Sequence, residues 1–436
     1  MERRVTFYEE TSFKTTEIGE IPADWEAVKL GELANIQIGR TPARKEKESW
    51  ENGSFPWVSI SDMKPFGTIT ETKEKISNYA LEKYFKNVSR AGTLLMSFKL
   101  TIGRTSILAI DAVHNEAIVS IYPIGSIDKM YLLYYLPTID FSKYFDKAVK
   151  GNTLNKDKML VIPIAIPPVE EQKAIAYVLS AVQEAREKTE KVIEAAKELK
   201  KSLMKHLFTY GPVSLEEAEC INLKETEIGL IPESWEVAKL GEVASVTSGG
   251  PAPQGEEYFT GGSFPFVRVQ HIDNTNSRIE RYDLITEQAV LDYGLRLFPK
   301  GTIVLPKSGA SIFLEKRAML PVDSFIVSHL CAINSNNNNL LQVYLYYVLQ
   351  QTRLAANKAD NYPTLNLSEI RQAILPLPPL PVQQRIAEIL QTVDEKIQAE
   401  EKKKQALDNL FNSMLHMLMS GKLRVKFRTG EEEESG

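Results

Sequence analysis

The sequence is poor in the features that mark secreted, membrane-spanning or metal-binding proteins. Its two cysteines, Cys220 and Cys331, are too far apart to form a metal-ligand motif and are typical of reduced thiols in a cytosolic protein. No stretch approaches the roughly 20 apolar residues that span a bilayer. The N-terminal segment has charges but no apolar run, unlike a secretory signal. We therefore expect a cytoplasmic protein without a bound metal.

Catalytic motifs are lacking as well. The sequence has no phosphate-binding loop, no Rossmann glycine motif and no N-P-P-[YF] tetrapeptide of the amino-methyltransferases. His114 lies in the segment VHNEA, but no second histidine or carboxylate stands at metal-ligand spacing from it. A stand-alone hydrolase therefore lacks the residues for its chemistry. We expect a non-catalytic chain that binds no cofactor of its own.

The charge balance limits how this chain could bind nucleic acid. With 57 acidic against 52 basic residues, the net charge is −5. A surface for nucleic acid must then be a local patch, or partner proteins must supply part of the positive field. The length of 436 residues allows two or three domains.

One phrase of the sequence occurs twice. The segments Thr16–Ala34 and Thr226–Ala244 are identical at 13 of 19 positions, at an offset of 210 residues. GSFPWVSISDM matches GSFPFVRVQHI at an offset of 209, and PPVEEQ matches PPLPVQ at 211. The nearly constant offset indicates a tandem duplication. Between these landmarks the copies share few side chains, which indicates one scaffold that carries two different specificities.

Each copy has a strand-rich part followed by a long helical part. Short β-branched and aromatic runs with Gly and Pro punctuation predict an α+β globular domain. The predicted domains cover residues 1–168 and 212–379, and the predicted helices cover 169–211 and 380–422. A tail at 423–436 is expected to be disordered at its acidic end.

Apolar residues spaced three and four apart predict a seam along each long helix. The predicted seam positions are Ile175, Val178, Val182, Val192, Leu199 and Leu203 in the first helix, and Ile386, Ile389, Val393, Leu407, Leu410 and Met414 in the second. The alternative, two separate helices that each lie on their own domain, is disfavoured because the helices are too long for domains of this size. Chain direction makes the predicted pair antiparallel, so the fold class is two tandem α+β domains separated by an antiparallel two-helix coiled coil with pseudo-twofold symmetry.

Taken together, the motifs resemble those of the DNA specificity subunit of Type I restriction–modification enzymes. The resemblance rests on the duplicated IP-x-x-W-E-x-x-x-L-G-E, the two GSFP segments, the PP-x-x-x-Q openings of both helices and the closing LMSGKLRV, and it covers nearly the whole chain. It implies that each domain is a target recognition domain for one half of an interrupted, asymmetric site in double-stranded DNA. It also implies that the helices set the gap and dock two methyltransferase subunits, which use S-adenosylmethionine, and that restriction subunits join through the complex.

Candidate DNA contacts are polar residues beside the predicted strand ends, where phosphates and base edges find donors and acceptors. In the first domain these are Arg40, Thr41, Ser59, Ser61, Lys64, Lys99, Arg104, Lys150, Asn152 and Thr153, and in the second they are Ser248, Arg268, Gln270, His271, Lys307, Ser308, Lys358, Asn361 and Tyr362. Trp25 and Trp235 of the repeated motif are expected to be buried anchors and not DNA contacts.

A second hypothesis is a two-headed adapter that gathers protein partners on a coiled coil and binds no DNA. The negative net charge is its best support. Capture of a methyltransferase subunit would separate the two hypotheses, because an unrelated adapter has no reason to bind one.

Overall fold

The computed structural model describes residues 4–144, 154–273, 278–336, 338–355 and 363–428. The strands up to the first long helix are β1 (Val5–Glu9), β2 (Phe13–Thr16), β3 (Gly19–Pro22), β4 (Glu26–Lys29), β5 (Ala34–Ile38), β6 (Phe55–Val58), β7 (Gly67–Ile69), β8 (Glu74–Ile76), β9 (Leu94–Ser97), β10 (Thr105–Leu108), β11 (Val113–His114), β12 (Ile118–Pro123) and β13 (Pro163–Ile166). The later strands are β14 (Leu223–Thr226), β15 (Gly229–Pro232), β16 (Glu236–Lys239), β17 (Ala244–Ser248), β18 (Phe264–Val267), β19 (Asp283–Ile285), β20 (Ile303–Pro306), β21 (Ala318–Met319), β22 (Phe325–Ile326), β23 (Leu330–Ser335), β24 (Ile374–Leu377) and β25 (Leu423–Phe427).

The helices are mostly short, apart from two. They are α1 (Leu30–Leu33), α2 (Lys47–Trp50), α3 (Asn78–Tyr84), α4 (Lys129–Tyr135), α5 (Lys156–Leu160), α6 (Val169–Tyr210), α7 (Leu215–Ala218), α8 (Leu240–Val243), α9 (Glu287–Asp292), α10 (Gln342–Gln351), α11 (Leu367–Arg371) and α12 (Leu380–Met419). Short 3-10 turns at Ile60–Asp62 and Val269–His271 follow β6 and β18. At 1.5 Å per residue, α6 and α12 are each about 60 Å long.

The chain divides into two compact units. The first comprises residues 1–191 and 401–436, and the second comprises residues 192–400. Each unit therefore holds one α+β domain together with about half of α6 and half of α12. The predicted α+β class with two long helices is confirmed.

The first unit is built on a five-stranded sheet in the order β5-β12-β9-β10-β7. Its central strand β9, Leu94–Ser97, is buried at every position, which explains the uninterrupted apolar run in the sequence. A three-stranded sheet, β11-β6-β8, lies beside it, and the pairs β4–β13 and β2–β3 complete the frame.

The second unit repeats this topology with local differences. A four-stranded sheet in the order β17-β23-β20-β21 corresponds to the first four strands of the larger sheet. The sheet β19-β18-β22 corresponds to β8-β6-β11, and the pairs β16–β24 and β14–β15 correspond to β4–β13 and β2–β3. Among the described strands of the second unit, β7 and the pair β1–β25 have no counterpart. The frame is therefore duplicated, as the repeat predicts.

The repeated motifs occupy the junctions between helix and domain. Trp25 is fully buried and Trp235 is 3% exposed, which confirms them as buried anchors. Gly421 follows α12 with a φ of +68°, and a Cβ there would lie 2.3 Å from Pro22 and 3.3 Å from Trp25. Only glycine fits so close to the ring in that left-handed conformation. The I-P-x-x-W motif thus forms the surface on which a long helix ends.

The glutamine of each PP-x-x-x-Q opening is a buried hydrogen-bonding bridge. Gln172 donates from Nε2 to the carbonyl of Pro167 at 2.9 Å and accepts the backbone N–H of Asp128 at 2.8 Å. Gln383 likewise donates to the carbonyl of Pro378 at 2.8 Å and accepts the N–H of Leu341 at 2.9 Å. Because a buried amide group is costly to leave unpaired, these bonds fix where each long helix leaves its domain.

Within each unit the two helix halves pack together and run antiparallel. In the first unit Arg186 pairs with Asp408 at 2.6 Å and Glu190 with Lys404 at 2.8 Å, so the partner numbers change in opposite directions. In the second unit Lys200 pairs with Asp394 at 2.8 Å. The alternative of two helices lying separately on their domains is therefore wrong.

Three predicted seam positions are corrected by the structure. Val192, Leu199 and Leu410 are 42%, 53% and 47% exposed. The buried positions nearby are Ile193, Met204 and Phe411. A strict seven-residue repeat drifts by about 20° per heptad from a straight α-helix, so a seam extended by threes and fours leaves the buried face after a few turns. The other predicted seam residues are buried or half-buried.

The first unit is closed by its last strand. β25 pairs antiparallel with β1, and Arg424 on β25 is buried. Its guanidinium donates to Glu171 from Nε and Nη2, both at 2.6 Å, and to Asp24 at 2.8 and 3.0 Å. It also donates to Glu10. Hydrogen bonding from Arg424 lowers the pKa of Asp24.

We expect the substitution Arg424→Met to destabilise the first unit by about 3–5 kcal/mol, because it leaves the buried carboxylate of Glu171 without its cation. Lys426→Met, at an exposed position of the same strand, is the matched control and should change stability by less than about 1 kcal/mol. Urea denaturation followed by tryptophan fluorescence measures both changes. Equal effects of the two variants would contradict the assigned role of Arg424.

Candidate nucleic-acid interface

The candidate residues of the first unit lie on loops joined by backbone hydrogen bonds at one edge of its sheets. The N–H of Arg40 donates to the carbonyl of His114 at 2.8 Å, and Asn115 donates to Val58 at 3.0 Å. The N–H of Phe98, directly after β9, donates to the carbonyl of Ala117 at 2.9 Å. The loops after β5, β6, β9 and β11 are thereby held as one surface. It contains Arg40, Thr41, Ser59, Ser61, Lys64, Lys99 and Arg104.

These side chains differ in how much of their hydrogen-bonding capacity remains for a ligand. Arg40, Ser61 and Lys64 are exposed. Ser59 is half-buried and donates from its hydroxyl to Asp62 at 2.7 Å, where it caps the 3-10 turn. The hydroxyl oxygen of Ser61 lies 2.8 Å from that of Ser59. Thr41 donates to Glu116, and Lys99 lies over the ring of Phe98 at 5.4 Å.

Arg104 stabilises the turn that follows β6. Its guanidinium donates to the carbonyls of Met63 and Ile60 at 3.3 and 3.5 Å. In the second unit Lys316 takes the same role and donates to the carbonyl of Ile272 at 2.8 Å. The two cations hold equivalent turns in place, a role that the sequence analysis did not identify. Contact of Arg104 with DNA stays a prediction.

An arginine that the sequence analysis missed stands on the same surface. Arg44 lies 4.0 Å from the ring centre of Trp50 and 5.0 Å from that of Trp57. Its Nη1 and Nη2 both donate to the carboxylate of Glu74, at 2.5 and 3.0 Å. Both indole N–H groups donate to carbonyls of the loop that carries Arg44. The pairing of a loop arginine with Trp50 of α2 and Trp57 of β6 has no local sequence signal.

His114 belongs to a buried polar network beneath this surface. Its Nε2 lies 2.6 Å from the hydroxyl of Ser120, which lies 2.6 Å from that of Ser89. Tyr122 extends the network at 3.2 Å. Burial lowers the pKa of His114 from 6.5 to about 4, so the imidazole is neutral at physiological pH. The described residues contain no group of three or more His, Cys, Asp or Glu side chains arranged to hold a metal ion.

The depressed pKa predicts a pH-dependent stability in the first unit. Above pH 6.5 the imidazole is neutral in both the folded and unfolded chain. Between pH 6.5 and about 4 the unfolded chain binds a proton that the folded chain does not, so up to about 3 kcal/mol of stability is lost. We expect the urea midpoint of His114→Gln to vary less with pH over this window than that of the wild type. Parallel midpoint curves for the two proteins would contradict this assignment.

The candidates of the second unit form a corresponding surface. The N–H of Gly249, next to Ser248, donates to the carbonyl of Leu330 at 3.1 Å, and Lys307 donates to His329 at 2.9 Å. The hydroxyl of Ser308 lies 2.6 Å from Nδ1 of His329. His329 is exposed and was missed, because its role follows only from the pairing of distant loops.

Arg268 and His271 form the turn that follows β18. The N–H of Arg268 donates to Nδ1 of His271 at 3.0 Å, as the N–H of Ser59 donates to Asp62 in the first unit. The Nε of Arg268 donates to Asp283 at 2.6 Å. Burial lowers the pKa of His271, which leaves its ring neutral near pH 7. Gln270 is exposed beside them. The same turn thus presents hydroxyl and carboxylate groups in one unit and a cation in the other.

Six candidates lie outside the described residues. They belong to the two loops before the Thr-Leu-Asn segments and are Lys150, Asn152, Thr153, Lys358, Asn361 and Tyr362.

A cavity of about 1180 Å³ in the second unit concentrates positive charge. Its lining includes seven basic and three acidic side chains, the basic ones being Lys197, Lys200, Lys201, Lys205, Arg278, Arg317 and Arg353. This is a local positive region in a chain of negative net charge. In the first unit Phe411 stands at the position that corresponds to Lys200 and packs on Phe66 at 5.1 Å and on Tyr134 at 6.1 Å.

The family model and the curated relatives of this chain agree on one family. The family model for the Type I restriction modification DNA specificity domain matches residues 22–198 and 232–409. The Type I restriction enzyme MjaIX specificity subunit of Methanocaldococcus jannaschii is 31% identical over 97% of this chain and 99% of its own length. The EcoDI specificity subunit of Escherichia coli is 23% identical over 94% and 91%.

A solved structure has a similar fold. The S subunit of a Type I restriction–modification system from M. genitalium superposes with a TM-score of 0.62 at 16% identity, covering 94% of this chain and 99% of its own. Within the part of the chain that the structure describes, no helix is long and apolar enough to cross a membrane.

Proposed function

Because the chain belongs to the family of Type I restriction modification DNA specificity domains, which match it twice, we propose that it is the DNA-recognition subunit of a Type I restriction–modification complex. It is not an enzyme in this assignment. Methyl transfer and cleavage belong to partner subunits, and the partner methyltransferase uses S-adenosylmethionine. Its place of action is the cytoplasm, where such a complex meets cellular DNA.

The observation that carries the proposal is a duplicated frame with unlike recognition loops. Both units present the loops after the strands of equivalent sheets. At the turn after β6 and β18, however, Ser59 and Asp62 in one unit correspond to Arg268 and His271 in the other. Different donors and acceptors select different base edges. Each unit therefore recognises its own half-site, and the complete target is asymmetric and interrupted.

The long helices have two tasks in this proposal. They keep the recognition surfaces at a defined separation along the duplex, which sets the length of the unspecified gap. They also provide the exposed helical faces on which two methyltransferase subunits dock, and restriction subunits join through these. Support comes from the fixed exit of each helix at its buried glutamine, since a spacer needs rigid attachment at both ends.

Fluorescence anisotropy with the complex assembled from this chain and its cognate methyltransferase tests the proposal. We expect a duplex with both half-sites to bind about 1000-fold or more tightly than one with scrambled half-sites. The logarithm of the association constant should fall linearly with the logarithm of the salt concentration. Scrambling one half-site should be enough to lose most of the preference.

Equal affinity for all duplexes would contradict the proposal. The competing assignment, a protein adapter that binds no DNA, is favoured by the net charge of −5. It would be supported if this chain failed to bind any methyltransferase subunit in a pull-down.

Lengthening both helices tests the spacer role. Duplicating residues 191–197 in α6 and 391–397 in α12 adds two turns, or about 10 Å, to each helix, which corresponds to about three base pairs. We expect mapping of methylated sites to show a longer gap between unchanged half-sites. Duplication in one helix alone is the control and should impair binding, because the pairs Arg186–Asp408 and Lys200–Asp394 can then no longer form together. Changed bases with an unchanged gap would contradict the spacer role.

A further inference from the structure

Each unit clamps one arginine between an aromatic ring and a carboxylate at the same place in the fold. Trp57 of β6 pairs in register with Glu74 of β8, and Phe266 of β18 pairs in register with Asp283 of β19. The strand positions are equivalent. The arginines come from different segments, however, because Arg44 precedes β6 whereas Arg268 directly follows β18.

The two arginines differ in what remains of the guanidinium for a ligand. Both terminal nitrogens of Arg44 donate to Glu74. Arg268 instead donates to Asp283 through Nε, at 2.6 Å. Its Nη1 and Nη2 have no hydrogen-bond partner among the described residues, and the side chain is 27% exposed. The outer edge of this guanidinium is therefore available, with two parallel N–H donors.

The orientation of that edge is fixed from several sides. The guanidinium carbon of Arg268 lies 5.5 Å from the ring centre of Phe259 and 5.4 Å from that of Phe266. Asp283 anchors Nε, and Nε2 of His271 lies 3.5 Å from the other oxygen of the same carboxylate. A planar fork held in this way loses little conformational entropy when it binds a partner of matching geometry.

We propose that Arg268 binds a guanine in the half-site recognised by the second unit, with Nη1 and Nη2 donating to O6 and N7 in the major groove. This inference rests on the proposed function. Paired acceptors on one base edge are the geometry that an arginine fork matches, and guanine presents them.

The same cluster disfavours a phosphate as the ligand. The carboxylate of Asp283 at 2.6 Å offsets the charge of Arg268, which weakens the long-range attraction to phosphate but leaves the directional donors intact. His271, whose pKa is lowered, adds no positive charge near pH 7. A contact that depends on donor direction more than on net charge distinguishes bases, whereas a phosphate contact strengthens binding to every sequence.

The first unit carries no equivalent fork at this turn. Ser59 occupies the position of Arg268, and its hydroxyl donates to Asp62. Arg44 occupies the clamp, but its terminal nitrogens are both on Glu74. The guanine contact is therefore specific to one half-site, which makes Arg44 a matched control.

The test uses the complex with its cognate methyltransferase and the target duplex defined by mapping methylated sites. Each guanine of both half-sites is replaced singly by 7-deazaguanine, which lacks the N7 acceptor, or by inosine, which lacks only the minor-groove amino group. We expect one guanine at which 7-deazaguanine weakens wild-type binding about tenfold or more, whereas inosine has little effect. The penalty should vanish in Arg268→Met, which removes every donor, and persist in Arg44→Met.

Two results would overturn the assignment of Arg268. One is a wild-type complex with no position sensitive to 7-deazaguanine, a measurement that needs no variant to fold. The other is an Arg268→Met complex that weakens on scrambled and target duplexes by the same factor, as loss of a phosphate contact would. Failure of the proposed function itself is distinguishable, because the wild-type complex would then show no preference for any sequence.

Discussion

Neither long helix can bury its apolar stripe alone, and the pairing of α6 with α12 inside each unit removes those stripes from water. Ile175 and Phe411 join the domain core of the first unit, and Met204 and Ile386 join that of the second. Burying a side chain of this size contributes about 1.5–3 kcal/mol, whereas an exposed ion pair contributes about 0–1 kcal/mol. Hydrophobic burial therefore holds the helices to each other and to their domains. Ion pairs along the seam mainly set register and direction.

The repeated motifs follow from this constraint, because each helix must enter and leave its domain at a fixed angle. A buried glutamine fixes the point where each helix leaves its own domain, and a buried tryptophan fixes the point where it reaches the other domain. The two units attach the end of the arriving helix in different ways. In the second unit the peptide chain continues from α6 through Gly211, which packs against Trp235. In the first unit, the pairing of β25 with β1 and the ion pairs of Arg424 provide non-covalently what the peptide bond provides in the second. An arginine like Arg424 is therefore needed only in the first unit.

The two α+β domains and the two long helices were predictable from the sequence, because the duplication shows each of them twice. The offset identifies equivalent positions, and the helix signals are strong over 40 residues. The exact buried face was not predictable, since small errors in an assumed period accumulate along a helix, as Val192 and Leu199 show. The recognition surface was partly predictable. Polar residues beside strand ends were found, but the clamp that holds Arg44 joins residues 30 apart and depends on strand register. Arg268 was among the candidates, but the clamp that leaves its Nη1 and Nη2 available was not predictable, because it depends on the pairing of β18 with β19.

The central claim is that two unlike recognition surfaces on one chain together select a single interrupted site. The most direct measurement is single-molecule sequencing of methylated bases in DNA from a host that carries this subunit and its cognate methyltransferase. The account predicts one motif with two different specified halves, separated by a gap of constant length and methylated on both strands. A palindromic motif, a continuous motif or methylation without sequence preference would contradict it.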